Sequence, residues 1–539
     1  MKRILFGMMA AVCVAGCTDR ADDFEAKRAA LLARPRTVIT DNDGNDIVYY
    51  DRDRPVTEEA FIGSRIGFVA KTRAETMVYC PWSSGFGRFT VPGIGELYTG
   101  YHPYANTTNR TEAFLAQGKD PLQMAIDFCR REKREIFLGI RMNDLHDAAS
   151  ADPNWVTKWK RDHPDCLVGT KTNKGNARFT WSAVDYGREE VRAYQLDFMR
   201  KFLGRYDLDG VEYDFFRHPV LFGSVVNAAD ERSAQATPGQ LDLMSRHMAA
   251  LRALAEEAGR KRGKPILVAI RVPDSFEYCR CMGIDLERWL TEKSVDLVVG
   301  GGYWQTNPWR TTARRVQELG AKFYVSLDET RIGQHAVQVP LGVLPGREGL
   351  AFYAARMAAA MADGADGVYF FNCQGKALAQ YASVDPNATE GVPKAYFAIE
   401  RGTGGDWPGL YVRNGERFST MPTLDPGKPH KMDPGSTYRF EVVVGDDFSS
   451  PCAKAKSPKA TAEALLNRRE AAEVKLSVNG LDLGTPTFRP NVNTGGVFAF
   501  AVPVSVLRRG PNEFALTAPT KGAADGQLAF VDFRLGVSY

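Results

Sequence analysis

The sequence predicts a (β/α)8 TIM barrel followed by a C-terminal all-β sandwich of jelly-roll type, on three observations. Between residues 36 and 375, eight short runs rich in β-branched and aromatic residues alternate with helical stretches. Such alternation implies parallel strands joined by helical crossovers, and eight units suit a closed barrel. No GxGxxG motif follows the first run to support an open doubly wound sheet. Past residue 395 the helical stretches nearly vanish, and Gly, Pro and short alternating runs take over, as in a sandwich built from turns and half-buried strands.

The strands are expected in order at RTVITDND (36–43), TMVYCPW (76–82), EIFLGIRMND (135–144) and DLDGVEYDFFRHP (207–219). PILVAIRV (265–272), VDLVVGGGYW (295–304), AKFYVSLDE (321–329) and DGVYFFN (366–372) complete the set. Helices are predicted over 57–74, around PLQMAIDFCRREKR, over 186–206 and over 239–262, then at LERWLTEKS, WRTTARRVQELG and LAFYAARMAAAMADGA. In the second region TYRFEVVVGDD, EVKLSVNGLDLG, GVFAFAVPVSVL, NEFALTAP and LAFVDFRLGVSY read as strands, and KATAEALLNRREAA as a helical insert.

In a barrel of this kind the chemistry gathers at the C-terminal ends of the strands. Side chains alternate along a strand, so the apolar set facing the helices tells which residues point inward. Val211, Tyr213 and Phe215 face outward, which turns Glu212, Asp214 and Phe216 toward the mouth. By the same reasoning Arg141 and Asn143 of the third strand, Arg271 of the fifth, and Tyr324, Ser326 and Asp328 of the seventh point inward, with Glu329 at the rim. Four strands thus deliver polar groups to one place.

Paired carboxylates suit glycoside hydrolysis: one acid protonates the leaving oxygen while a second carboxylate attacks or activates water. Crowding pushes their proton affinities apart, which supplies an acid and a base from one residue type. Asp214 and Glu212 are the first candidates, then Asp328 and Glu329. Arg141, Asn143, His146, Arg271 and His218 are expected to bind substrate or tune the acids, and an anionic sugar is one option. A buried structural ion-pair network is the competing reading. Trp82, Trp181, Tyr303, Trp304 and Trp309 fall at strand ends or in the following loops, where as a group they suit stacking on sugar rings. Asp41 and Asp43 close the first strand in DNDGND, which superficially resembles a calcium loop. Its glycine comes too early and Arg52 stands where the last ligand should be, so a turn is expected; neither a metal nor a cofactor is.

The chain of 539 residues has 44% hydrophobic and 25% charged residues and a formal charge of +4. That is the composition of a globular protein, with too little basic bias to suggest nucleic acid. MKRILFGMMAAVCVAGCTD has a basic start, a short apolar run and small residues, which is an export signal. Val14-Ala15-Gly16-Cys17 looks like a bacterial lipobox, which implies cleavage before Cys17 and a lipid anchor there. Thr18 after the cysteine leans toward the outer membrane. Beyond Cys13 and Cys17, seven scattered cysteines show no zinc spacing.

With these residues assembled, the barrel resembles the family-10-like bacterial glycosyl hydrolases. TVITDNDGND, MVYCPWSSGFG, GIRMNDLHD, LDGVEYDFFRHP and YVSLDETR carry the resemblance over roughly residues 36 to 375. It implies a TIM-barrel glycosidase with a carbohydrate substrate, of unspecified linkage. VKLSVNGLDLG and GPNEFAL resemble the sugar-binding-like jelly rolls of secreted polysaccharide-degrading enzymes. Many barrel glycosidases carry an acid/base at the end of strand four and a nucleophile at the end of strand seven. Here no Asn-Glu pair closes strand four, and strand seven ends in Asp-Glu. The expected organisation is a signal peptide over 1–16, a linker over 17–35, the barrel over 36–395 and an accessory, candidate carbohydrate-binding sandwich over 396–539. Competing functions are a non-catalytic carbohydrate-binding lipoprotein, an esterase, disfavoured because no GxSxG elbow is present, and a surface scaffold.

Overall fold

The computed structural model describes residues 23–82, 84–100, 106–148, 153–172, 180–230, 233–301, 305–327, 342–347, 349–373, 380–398, 417–422, 424, 426, 429–468, 473–490, 495–520 and 527–539. Cys17 and the expected leader, Tyr303, Trp304, Asp328 and Glu329 lie outside them. Eight parallel strands close into a barrel: β1 (Val38–Asn42), β2 (Thr76–Tyr79), β3 (Glu135–Arg141), β4 (Gly210–Asp214), β5 (Leu267–Val272), β6 (Leu297–Gly300), β7 (Lys322–Ser326) and β8 (Gly367–Phe370). Each pairs with its neighbours in sequence and β1 closes on β8, as the alternation predicts.

The crossover helices stop where local chemistry tells them to. The helix Pro238–Arg262 opens on Thr237, whose side chain forms a reciprocal capping box with Gln240, and closes on Gly263 at φ 69°. The helix Pro121–Arg131 opens on Asp120, which accepts from the backbone N–H groups of Leu122 and Gln123. These helices bury one face against the outward residues of the strands, such as Ile136, Leu138 and Ile140 of β3 and Val268 and Ile270 of β5.

The barrel interior has a dry floor and a polar mouth. Ile39, Val78, Phe137, Leu267, Ala269, Leu297, Val299, Tyr324 and Tyr369 form the floor, and Leu31 and Leu32 pack beneath it. Those leucines belong to a helical turn region, residues 23–32, inside the expected linker. Phe24 is buried, and Arg28 reaches Asp296 at 2.7 Å while Arg252 holds the same carboxylate at 2.7 Å. The stretch before β1 is therefore part of the barrel, because its apolar residues cover an otherwise exposed floor.

The second region forms a six-stranded and a four-stranded antiparallel sheet. Its strands are β9 (Lys394–Phe397), β10 (His430–Met432), β11 (Thr437–Val444), β12 (Lys459–Leu466), β13 (Lys475–Val478), β14 (Leu481–Asp482), β15 (Thr487–Pro490), β16 (Gly496–Val502), β17 (Gly510–Thr517) and β18 (Leu528–Ser538). β9 pairs with β18, so the sandwich begins just before the expected boundary. The expected helical insert is strand β12, laid between β16 and β18. Alanine and leucine favour helix in isolation, but Ala462, Ala464 and Leu466 alternate into the sandwich core, and pairing on both sides outweighs that preference.

Candidate active site

Three carboxyl groups meet at the C-terminal end of the barrel. Asp214, the last residue of β4, is 5% exposed. Its Oδ1 accepts from the backbone N–H groups of Phe216 at 2.9 Å and Arg217 at 2.8 Å and from Arg271 at 3.1 Å. Its Oδ2 has a longer contact, 3.3 Å, to the same guanidinium, which leaves Oδ2 as the oxygen less engaged by the protein. Arg271 is fully buried at the end of β5, directly opposite Asp214 in register, with its guanidinium 3.9 Å above the Phe371 ring.

Glu212 sits one pleat deeper. Its register neighbours are Gly139 on β3 and Ala269 on β5, both small. Tyr369 of β8 donates its hydroxyl to Oε1 at 2.9 Å, and Oε2 makes no hydrogen bond among the described residues. Burial, then the nearby Asp41 and Asp214, hold this carboxyl well above the usual range. Asp41, inward on β1, has Oδ2 bonded to the backbone N–H of Asn372 at 3.1 Å. Burial, then the charge of Asp43, pushes it up to about 8. The physical cause is common to both: water is excluded, and the local negative charge makes a second ionisation unfavourable.

A second polar cluster lies beside the first. Arg141, at the end of β3, pairs with Asp43 and, at 3.1 Å, with Asp144. Burial works against ionisation of Asp43, but Arg141 and then Arg217 outweigh it and hold the carboxyl below its ordinary range. Asp144 also accepts from His146 Nδ1 at 2.8 Å and from the His146 backbone N–H at 3.0 Å. Despite its burial, His146, then His218 and Arg141, hold Asp144 well below the usual carboxylate range. His146 is the most solvent-facing member, with its side chain 32% exposed, and its Nε2 lies 3.1 Å from Arg217. His218 is buried, and burial, then Arg217, holds it well below the usual imidazole range.

Asp144, His146 and His218 are close enough to ligate one metal ion. Their bonding does not suit one. His146 Nε2 accepts from Arg217, and His218 Nδ1 accepts from the Leu145 backbone N–H at 3.3 Å, so a ring lone pair of each histidine already faces a protein donor. Two guanidinium groups next to the trio further disfavour a second cation.

The remaining candidates divide. Asn143 is buried and committed to the backbone: it donates to Val184 and Val220 and accepts from Val184, tying together the loops after β3 and β4. Trp181 donates to the Ala148 carbonyl at 3.1 Å, again fixing a loop. Trp82 is 3% exposed and stacks on Tyr98 with ring centroids 4.6 Å apart, and Trp309 is buried at the start of a helix. Arg141 and Arg271 are both neutralised by the protein's own carboxylates, so neither offers uncompensated charge to an anionic sugar. Asp144, Arg217 and Tyr369 were not singled out by sequence reasoning. Alternation along the eighth strand, with Val368 and Phe370 outward, would have exposed Tyr369, whereas nothing local marks Asp144 or Arg217.

No protein-family model matches the chain, and no curated protein is similar to it. Among solved structures it is similar to the PgaB (BpsB) glycoside hydrolase domain from Bordetella bronchiseptica, at 11% identity over 62% of this chain and 94% of that one, with a TM-score of 0.36. It is also similar to alpha-L-fucosidase isoenzyme 2 from Paenibacillus thiaminolyticus (12% identity, 66% and 49% covered, TM-score 0.40). A third is GH36 alpha-galactosidase AgaA from Geobacillus stearothermophilus (14% identity, 90% and 56% covered, TM-score 0.33). The chain spans about half the length of the last two. Likeness this loose does not identify a reaction for this chain; that question rests on the side chains at the barrel mouth.

Proposed function

We propose that the protein is a glycoside hydrolase acting on a poly- or oligosaccharide at the C-terminal mouth of its barrel. The single observation that supports this most is the unequal treatment of neighbouring carboxyl groups. Asp214 is ion-paired with Arg271 and aligned by two backbone N–H groups, while Asp41 keeps its proton to about 8. A protonated acid and a guanidinium-paired carboxyl group therefore stand together at the barrel mouth, as hydrolysis of an acetal requires. Because Asp41 Oδ2 accepts from Asn372, the proton resides on Oδ1, from which it is given to the leaving oxygen. Asp214 Oδ2 attacks the anomeric carbon or takes a proton from water.

The compensated arginines favour a neutral glycan over an anionic one. A lipid anchor at Cys17, an outer-membrane location in the bacterial cell envelope and a sugar-binding role for the sandwich belong to the same reading; membrane release of a Cys17→Ser variant tests the anchor. The second reading, a non-catalytic carbohydrate-binding lipoprotein, is favoured by the near-complete burial of all three carboxyls, each 5% exposed or less. A glycan-panel hydrolysis assay decides between them. The wild type is expected to release reducing ends, with Asp214→Asn lowering the rate by about 10³-fold or more while glycan binding persists. Binding with no turnover on any glycan would leave the second reading.

A further inference from the structure

The helix at residues 23–32 and the turn after it are fastened to the closed end of the barrel, opposite the candidate active site. Phe24 is buried beneath Arg260, whose guanidinium stands 4.2 Å from the ring centre, and a Cβ on Gly259 would come within 3.2 Å of Phe24 Cζ. Arg28 reaches Asp296 at 2.7 Å and the Lys293 carbonyl at 2.8 Å, both in the loop that enters β6. Arg36 holds Glu135, the first residue of β3, at 2.6 and 2.9 Å and donates to the Leu31 carbonyl at 2.9 Å. These partners all lie where the chain enters β3, β5 or β6, at the end away from the mouth.

Cys17 precedes Asp23 by six residues, a length that spans at most about 20 Å even when fully extended. The helix Pro238–Arg262 runs from the mouth to the closed end, and its 25 residues measure about 37 Å. A bilayer lying against the mouth would stand beyond the reach of a lipid at Cys17. The closed end also suits a bilayer surface chemically. Lys71, Lys133 and Lys293 are exposed in the loops that enter β2, β3 and β6, and none has an ion pair among the described residues. Acids of the same loops turn inward: Asp209, Asp296 and Asp366 accept from the backbone N–H groups of Ile136, Val268 and Phe323. Cations left facing out in this way attract anionic headgroups.

We infer that the closed end of the barrel lies against a bilayer containing anionic phospholipids, with the mouth opening away from it. The helix at residues 23–32 then sets the orientation of the protein on the membrane as well as covering the barrel floor. The inference rests on the reading of Cys17 as a lipid anchor and deepens the proposed function. A mouth turned this way receives glycans from the envelope space rather than the headgroup sugars of the anchoring membrane.

Fluorescence quenching on vesicles tests it. The lipidated full chain is reconstituted on phosphatidylethanolamine–phosphatidylglycerol vesicles that carry a headgroup-attached quencher. Cys452, an exposed thiol, is first removed as Cys452→Ser; Cys80, Cys129, Cys166, Cys279, Cys281 and Cys373 are buried. A fluorophore is then placed at the closed end through Lys261→Cys, or beside the mouth, in the loop after β4, through Ala229→Cys; both positions are exposed. The Lys261→Cys probe should lose most of its emission while the Ala229→Cys probe keeps its own. Equal quenching of the two, or stronger quenching at Ala229→Cys, overturns the inference and leaves the anchor reading standing. A wild type that does not sediment with vesicles, or a Cys17→Ser variant that sediments as well as the wild type, defeats the anchor reading and the inference with it. Neither result depends on which glycan is cut.

Discussion

Asp41 and Asp214 carry the same functional group in different company. A guanidinium and two backbone N–H groups converge on Asp214, whereas Asp41 receives one backbone N–H and faces other carboxyls. Asp41 has a stability signature as well as a chemical one. Folded, it holds its proton to about 8; unfolded, an aspartate releases it near pH ~3.9. The folded state therefore binds the extra proton between those values, so this contribution is fully present below about pH 4 and is lost as pH rises through about 8. Asp41→Asn removes that loss. Its melting temperature relative to the wild type should climb from pH 4 to pH 8; a constant offset across that range would refute the assignment.

At the scale of elements, alternation along each strand does two jobs. It presents apolar residues to the helices and leaves inward positions for chemistry, as in Val211, Tyr213 and Phe215 against Glu212 and Asp214. Close approach between neighbouring strands fixes a small residue on β3: a Cβ on Gly139 would lie 2.9 Å from Val78 Cγ1 of β2. Gly139→Ala should destabilise the barrel by about 1–3 kcal/mol, as overpacking does. Chemical denaturation measures this, and an unchanged midpoint would mean the slot is not tightly packed. Strand β12 makes the opposite point. Its helical composition yields to pairing with β16 and β18, and Glu463 in its middle is stabilised by Arg534 and Arg489.

For the whole molecule, barrel and sandwich share buried and half-buried ion pairs. Arg310, on the helix before β7, makes a two-pronged contact with Glu441 of β11, both bonds at 2.8 Å. Arg347 does the same to Asp532 of β18, at 2.7 Å each, with both partners almost fully buried. Gly445 packs so closely on the helix Leu350–Ala362 that a Cβ would lie 2.4 Å from the Ala358 backbone carbon. The sandwich therefore braces the barrel on the side of β7 and β8. Removing one member of the buried pair with Arg347→Met leaves Asp532 uncompensated and should cost about 3–5 kcal/mol. In calorimetry the sandwich transition should separate from that of the barrel; one unshifted cooperative transition would show that the pair does not couple them.

The sequence by itself determined the barrel, its eight strands in order, the sandwich after it, and the inward direction of Glu212, Asp214, Arg141 and Arg271. All of these follow from periodicity, which is local and survives any packing. Only the tertiary structure decided which polar groups answer one another. Asp144 and Arg217 join the cluster through bonds to His146, a residue on a different loop from Arg217. Asn143 and Trp181 look like binding groups in sequence but tie loops to backbone carbonyls. Whether an inward acid is paired, protonated or committed elsewhere depends on residues 57 to 331 positions away in the chain, and burial and neighbouring charge, rather than residue type, set its proton affinity.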